Sequence, residues 1–163
     1  MALMFLNKLV EKLYFAQEGN LALYDKLTGV YNYNWFTIQG AKKYVGKEVF
    51  ITVIDVNGFK EINDTKGHMY GNKVLKDVAY QLSQLKGIDN SVEVVRYGGD
   101  EFLIISETDV TSLIEMCNEK NKLISFGITK KEKDEHISVA FVRADVEMYA
   151  YKQKLKKAKL KRA

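Results

Sequence analysis

The sequence predicts an α/β (α+β) fold in which a mixed central sheet of about five strands carries helices on its faces. Two observations lead to this prediction. Strand-like apolar runs alternate along the chain with segments of helical period, and one pair of strand-like runs is joined by a short glycine turn. Alternation favours helical crossovers between strands, whereas a hairpin pairs strands antiparallel, so the sheet is predicted to be mixed.

An amphipathic helix is predicted at the start of the chain, from about Leu3 to Glu18, and it stops near Gly19–Asn20. Its apolar residues repeat at heptad-like spacing: Ala2, Leu6, Leu9 and Leu13. This stripe is typical of a packing or dimer face, and the segment is too short and too polar to span a bilayer. We therefore assign residues 1–20 to a dimer or signalling helix and residues 21–163 to one globular domain.

The globular part contains four further predicted helices and four clear strands. The helices are Tyr33 to Lys43, Val74 to Leu85, Val110 to Glu119, and a last one from about Ser138 into the tail. The strands are Val49 to Ile54, Val92 to Tyr97, Phe102 to Ile105 and Leu123 to Ile128. The first strand is almost continuously apolar and β-branched, so we expect it to be buried on both faces. The stretch between Asp55 and Val74 is predicted to be mainly a loop.

Charge and cysteine content narrow the class of protein. Cys117 is the single cysteine of the chain, so no intrachain disulfide can form, and a reducing, cytoplasmic location is expected. We expect Cys117 to be a packing residue on the buried side of its helix. The net charge of +4 is concentrated in a tail, Lys152 to Arg162, that carries seven positive charges and no acid. A solvated helix face is the favoured interpretation over a nucleic-acid or membrane contact, so no nucleic-acid partner is expected.

Three acids form the candidate reactive cluster. Asp55 ends the buried strand, while Asp100 and Glu101 lie at the glycine turn between two strands. If these strands are neighbours, the acids converge at one edge of the sheet, where they repel one another unless cations bridge them. A few hard oxygen ligands suit Mg²⁺ or Mn²⁺. The alternative from the residues alone is a polar turn with one strand-capping aspartate.

A glycine-containing turn directly follows Asp55, with the sequence Asn57–Gly58–Phe59–Lys60. Backbone N–H groups in such a turn can cradle phosphates, and Lys60 can neutralise one.

Five segments, in order, resemble the GGDEF family of diguanylate cyclases. They are Asp25–Gly29 with Asn32; Asp55–Asp64; Gly67–His68 with Gly71; Arg96–Phe102; and Ser125–Gly127 with Ala144–Asp145, Met148–Tyr149 and Lys152. The resemblance covers about Leu23 to Lys156. It implies a palm-like sheet shared with nucleotide polymerases, with the signature Gly98–Gly99–Asp100–Glu101–Phe102 on a β-hairpin turn.

The resemblance also implies the roles of individual residues. Two Mg²⁺ or Mn²⁺ ions are expected on Asp55, the Val56 carbonyl, Asp100 and Glu101. Triphosphate binding is expected from the backbone of Asn57, Gly58 and Phe59, from Gly99, and from Lys60, Lys152 and Lys156. Asn63 and Asn72 are expected to recognise the base. The family joins two GTP molecules across two facing subunits, so a homodimer is expected, with an upstream sensor or partner protein as a source of control.

The sequence departs from the family pattern at several positions. Asn72 stands where an aspartate is usual, and Lys156 and Tyr33 stand where arginines are usual. Asp89 and Val92 occupy the ends of the product-inhibition motif, which requires an arginine and an aspartate there, so feedback through that site is expected to be absent.

The leading expectation is an active diguanylate cyclase. A silent GTP-binding or dimerisation module, and a cyclase with relaxed base choice, remain open alternatives.

Overall fold

The computed structural model describes residues 23–118 and 123–160, so the predicted helix at residues 1–20 lies outside the described residues. Five strands are present: β1 Tyr31–Asn32, β2 Val49–Val56, β3 Glu93–Arg96, β4 Glu101–Ser106 and β5 Ile124–Lys131. Helix α1 is built from three consecutive pieces: Tyr33–Trp35, a π-helical turn Phe36–Gly40, and Ala41–Lys43. The other helices are α2 Phe59–Lys66, α3 His68–Gln84 with a 3₁₀ turn Leu85–Gly87, α4 Thr111–Asn118 and α5 Ile137–Leu160.

The strands form one sheet in the order β1-β3-β4-β2-β5. Strand β1 runs parallel to β3, and every other neighbouring pair is antiparallel. The mixed five-stranded α+β architecture predicted from the sequence is therefore confirmed. Strand β2 lies between β4 and β5, so Asp55, the last residue but one of this strand, is in the interior of the sheet.

The two faces of the sheet bury separate cores. Along β2, Ile54 and Val56 face one core, whereas Val49, Ile51 and Val53 face the other, as the two-residue period of a strand requires. The first core is covered by α3 and α4, and the second by α1 and α5. The expectation that this strand is buried on both faces is confirmed.

The predicted loop between Asp55 and Val74 was wrong, because helix α2 and the first part of α3 occupy it. Helix α2 is only eight residues long and contains two apolar residues, Phe59 and Ile62, which are too few to reveal a helical period in the sequence. Glycines separate the elements: Gly58 has φ +67° before α2 and Gly67 has φ +81° before α3. These left-handed conformations favour glycine and end one element before the next begins.

Two predictions about single side chains had different outcomes. Trp35 and Phe36 are buried in the second core as expected. Cys117 is exposed, so its assignment as a packing residue was wrong. In helix α4 the inward positions belong to Ile114 and Asn118 instead.

A close helix–strand contact fixes α5 on the sheet. A side chain at Gly127 of β5 would collide with backbone atoms of Ala144 and Met148 in α5. The absence of a Cβ therefore lets α5 lie directly against β5, and this seating determines where the polar residues of the following turns project. No described helix combines the length and the apolar character needed to cross a membrane.

Candidate active site

The three predicted acids come together at the end of β2. Asp55 lies opposite Glu101 in the β2–β4 register, and the Val56 N–H donates to the Asp100 carbonyl at 3.0 Å. Asp55 is buried, with 7% of its surface exposed. The expected convergence of strand end and hairpin is therefore what the structure shows.

The hairpin needs glycine at position 98 because a side chain there would collide with Glu101, and not because the backbone has positive φ. Glycines in hairpin turns often adopt positive φ, but neither Gly98 nor Gly99 is among the positive-φ glycines of the described chain. A Cβ on Gly98 would collide with the Glu101 carboxylate, whereas Gly99 has open space around that position. Gly98 therefore leaves the room in which Glu101 lies folded back over its own turn.

The carboxylates of the site repel one another, and this repulsion adds to the effect of burial on their pKa values. Burial, followed by repulsion from Asp55, raises the pKa of Asp100 above its ordinary value. Burial, followed by the charges of Asp100 and Asp55, raises the pKa of Glu101 in the same direction. A smaller contribution to Glu101 comes from Asp145 of α5, for which the sequence argument proposed no role. Such a site attracts a compensating cation.

One cation is supplied by the protein itself. The Lys152 ammonium of α5 donates to Oδ1 of Asp55 at 2.6 Å. Lys156 follows one helical turn later, on the same side of α5, and is exposed. Two of the three lysines expected to bind phosphate therefore lie on one side of α5, and the first of them, Lys152, contacts the buried carboxylate.

The turn after β2 leads into a helix without a side-chain cap, and one N–H group expected to bind phosphate there already has a protein partner. The Asn57 N–H was expected to contact phosphate, but it donates to the Leu123 carbonyl at 2.8 Å, and the Asn57 side chain accepts from Ser125. Phe59 and the exposed Lys60 begin helix α2, whose N-terminus has no side-chain cap. The first N–H groups of a helix have no intrahelical partners and favour anions.

The two asparagines expected to read the base occupy different environments. Oδ1 of Asn63 in α2 is buried and has no hydrogen-bond partner in the described part of the chain. It fills the space that a side chain at Gly71 of α3 would occupy. Asn72, the next residue, is exposed. A buried unpaired acceptor is costly in the free protein, so a donor from a ligand would be favourable here.

Comparison with known proteins identifies the family. The family profile described as "Diguanylate cyclase, GGDEF domain" matches residues 22–158. The chain belongs to the GGDEF family. The diguanylate cyclase VdcA of Vibrio cholerae serotype O1 is 28% identical over 172 residues, which cover 90% of this chain and 48% of VdcA. The cyclic di-GMP phosphodiesterase PdeR of Escherichia coli is 33% identical over 98 residues, which cover 58% of this chain and 14% of PdeR. The chain thus spans about half or less of these relatives.

A solved structure supports the GGDEF fold. The coiled coil and GGDEF domain of DgcB from Caulobacter crescentus, in complex with c-di-GMP, superposes with a TM-score of 0.75 at 23% identity. The match covers 93% of this chain and 92% of the DgcB chain. At this identity the likeness concerns the fold.

An ion pair that the sequence argument missed holds the GGDEF turn in place. Arg96 donates from Nε and Nη2 to the Gly99 carbonyl, at 3.2 and 2.6 Å, and from Nη1 to Asp25 at 2.9 Å. Asp25 also accepts from the Thr28 N–H and hydroxyl, at 2.9 and 2.6 Å. The signature turn is therefore tied to the first motif of the domain, 71 residues earlier in the chain. The sequence signal for this contact was the position of Arg96, two residues before the glycine pair, from which a bond to the turn could have been predicted.

The acids at the end of β2 could bind a divalent metal ion only if a substrate supplied further ligands. Among residues 23–118 and 123–160, no three acid, histidine or cysteine side chains are grouped tightly enough to hold a metal ion by themselves. However, Asp100 and Glu101 have raised pKa values caused by burial and mutual repulsion, which a bound cation would relieve. Mg²⁺ commonly takes one or two carboxylates and completes its shell with water and substrate phosphates. The chemistry of the site fits that mode of binding.

Proposed function

We propose that this GGDEF domain is a diguanylate cyclase that condenses two GTP molecules into cyclic di-GMP and releases pyrophosphate. The observation that supports this most directly is the site at the end of β2. There the buried Asp55 lies beside the acids of the hairpin turn and is bonded to Lys152. Converging carboxylates next to exposed lysines suit a substrate that brings both phosphates and metal.

The triphosphate is proposed to bind between the start of α2 and the lysines of α5. Uncapped N–H groups at Phe59 and Lys60 and the ammonium groups of Lys152 and Lys156 would neutralise its oxygens. Binding would draw Lys152 from Asp55 towards phosphate, which frees the carboxylate. Asn63 would pair its unpaired Oδ1 with a donor on the base, and the exposed Asn72 would contact the same edge.

The metal site would use Asp55, the Val56 carbonyl, Asp100 and Glu101. Two Mg²⁺ or Mn²⁺ ions bound there would supply Lewis-acid activation of a 3′-hydroxyl and stabilisation of the leaving pyrophosphate. Arg96 would hold the turn that carries both acids while this occurs.

The reaction is proposed to need a homodimer. The described chain brings together one such group of acids and one phosphate-binding turn, so one copy would hold one GTP. Each 3′-hydroxyl would attack the α-phosphate held by the facing copy, and two such attacks close the ring. The dimer would form in the cytoplasm, and an upstream sensor or partner protein would control it.

A second candidate function is a GTP-binding or dimerisation module without turnover. Asn72 and Lys156 favour it, because they depart from the family pattern at positions expected to bind the base and the phosphates. A cyclase with relaxed base choice, making cyclic GMP-AMP or a related product, is a third candidate that rests on Asn72.

The deciding experiment incubates the purified chain with GTP and either Mg²⁺ or Mn²⁺ and measures released pyrophosphate and cyclic product. The Asp100→Asn variant is the matched control. Turnover by the wild type alone supports the cyclase. GTP binding by calorimetry with no pyrophosphate from either protein selects the silent module.

A further inference from the structure

Asn57 is tied to strand β5 and the residue before it by two hydrogen bonds. Its N–H donates to the Leu123 carbonyl at 2.8 Å, and its side-chain Oδ1 accepts from the Ser125 hydroxyl at 2.7 Å. Asn57 is the first residue after β2, and Ser125 is the second residue of β5. The two bonds therefore fasten the turn that leaves β2 to the neighbouring strand.

The bond from the Asn57 N–H fixes the direction of the Val56 carbonyl. These two groups belong to one peptide unit, which is trans, so they point in opposite directions. The N–H points to β5, and the carbonyl therefore points to the other side of β2, where β4 and the hairpin turn lie. The Val56 N–H points the same way, since it donates to the Asp100 carbonyl at 3.0 Å. The Val56 carbonyl thus faces the turn that carries Asp100 and Glu101.

The bond to Asn57 accounts for a serine at position 125. Ser125 is 0% exposed and lies opposite Asp55 in the β2–β5 register. A buried hydroxyl is costly without a hydrogen-bond partner, and a small apolar residue would fill nearly the same space without that cost. The hydroxyl donates to the side chain of Asn57, next to the candidate metal site. What this serine adds over an alanine is therefore a hold on Asn57.

The part of the chain that holds Asn57 is itself held by helix α4. The amide of Asn118, which is buried, accepts from the Ile124 N–H at 3.0 Å and donates to the Ile124 carbonyl at 2.8 Å. Ile124 lies between the two residues that bond Asn57. A side chain that pairs with both backbone groups of one residue replaces the strand that is missing at this edge of the sheet. The start of β5 is thus fixed from both sides, by β2 and by α4.

We propose that Asn57 and Ser125 are positioning residues, which hold the Val56 carbonyl towards the candidate metal site. The inference rests on the proposed function, because it takes that carbonyl to be a ligand of the metal together with the acids. A carbonyl already held in the orientation of the bound state loses no conformational freedom when the cation arrives. Residues that orient metal ligands in this way typically contribute about 10- to 100-fold to metal affinity. Neither side chain would touch the metal or the substrate.

Manganese affinity tests the proposal without turnover. The probe is Mn²⁺, titrated by electron paramagnetic resonance in the presence of a GTP analogue that has a methylene group between its α- and β-phosphorus atoms and so cannot release pyrophosphate. We expect Ser125→Ala and Asn57→Ala each to raise the Mn²⁺ dissociation constant about tenfold or more. Because both substitutions break the same side-chain bond, the double variant should lose no more affinity than either single variant.

Thr129→Val is the matched control. Thr129 lies on the same strand and donates its hydroxyl to the Ala140 carbonyl of α5 at 2.9 Å, but it pairs with Ile51, away from the end of β2. Like Ser125→Ala, this substitution removes one hydroxyl from β5. It should lower Tm and leave the Mn²⁺ dissociation constant unchanged. Affinity for the analogue in EDTA should be the same in wild type and Ser125→Ala, because the lysines of α5 and the start of α2 remain.

Three results would overturn the proposal: unchanged Mn²⁺ affinity in Asn57→Ala, an equal loss in Thr129→Val, or a parallel loss of affinity for the analogue in EDTA. If Ser125→Ala does not fold, Asn57→Ala decides alone, because it alters a partly exposed turn. A wild type that binds Mn²⁺ with the analogue but releases no pyrophosphate from GTP would reject the cyclase, and the Mn²⁺ comparison would still decide this proposal. A wild type that binds no Mn²⁺ would overturn both.

Discussion

Lys152 and Asp55 are bonded at 2.6 Å although they lie 97 residues apart in the chain. The contact joins the long helix α5 to the end of the central strand β2, and it partly neutralises the most buried acid of the site. Lys152 can either pair with the protein or bind a phosphate, because its ammonium moves on a flexible stem.

We expect Lys152→Met to lower both stability and GTP binding. The buried Asp55 carboxylate would lose its charged donor, which costs about 1–3 kcal/mol. The measurement is a double-mutant cycle with Asp55→Asn, using urea unfolding and GTP titration. If the two substitutions add independently in unfolding, the pair contributes no coupling and the contact is not stabilising in solution.

Asp100→Asn should abolish turnover while making the metal-free protein more stable at neutral pH. The pKa of Asp100 is raised in the folded state, so ionisation near neutral pH disfavours folding and the wild type loses stability as pH rises through that pKa. Each 1 kcal/mol of relief raises Tm by about 2–4 °C.

Metal dependence provides the control for this prediction. Added Mg²⁺ or Mn²⁺ with GTP should raise the Tm of wild type more than that of Asp100→Asn. Equal shifts, or wild-type turnover by the variant, would exclude Asp100 as a metal ligand.

The Asp25–Arg96 pair predicts an acid-dependent stability difference. Burial opposes ionisation of Asp25, but hydrogen bonds from Thr28 and Arg96 outweigh it and hold the pKa below its ordinary value. The resulting stability is present above that ordinary value and is lost as pH falls through the folded pKa. We expect Asp25→Asn to cost about 1 kcal/mol at neutral pH, after allowance for solvent screening. The difference from wild type should vanish in acid, and a constant difference across the pH range would contradict this origin.

Base choice is predicted to depend on Asn72. An aspartate there would accept two hydrogen bonds from guanine, whereas the amide offers one acceptor and one donor. Losing one charge-assisted bond corresponds to roughly 1.5–3 kcal/mol, or about 10- to 100-fold in discrimination. We expect Asn72→Asp to sharpen selectivity for GTP in a mixture with equal ATP. Identical product profiles containing only cyclic di-GMP would show that position 72 does not relax base choice.

Added cyclic di-GMP is predicted not to inhibit through the family's feedback motif. Asp89 stands at the arginine position, and its carboxylate accepts from the Ser91 N–H and the Thr108 hydroxyl. Val92, at the aspartate position, is buried. The measurement is initial velocity against product concentration at two GTP concentrations. Strong non-competitive inhibition would show that another set of residues binds the product.

The sequence alone determined four of the five strands and the choice of the candidate acids. Continuous β-branched runs such as Val49–Ile54 leave little alternative to a buried strand, and a glycine pair between two such runs specifies a hairpin. Asp55, Asp100 and Glu101 could be selected because carboxylates at strand ends serve no packing purpose. These are local signals, readable from residue type and period.

Only the tertiary structure decided which distant residues meet. Helix α2 was missed because its eight residues include only two apolar ones, so no helical period is visible in the sequence. The bonds from Lys152 to Asp55 and from Arg96 to Asp25 depend on the order of strands and on the seating of α5 against Gly127. The strand order cannot be predicted from composition and spacing, because the packing of the whole sheet determines which residues far apart in the chain come into contact.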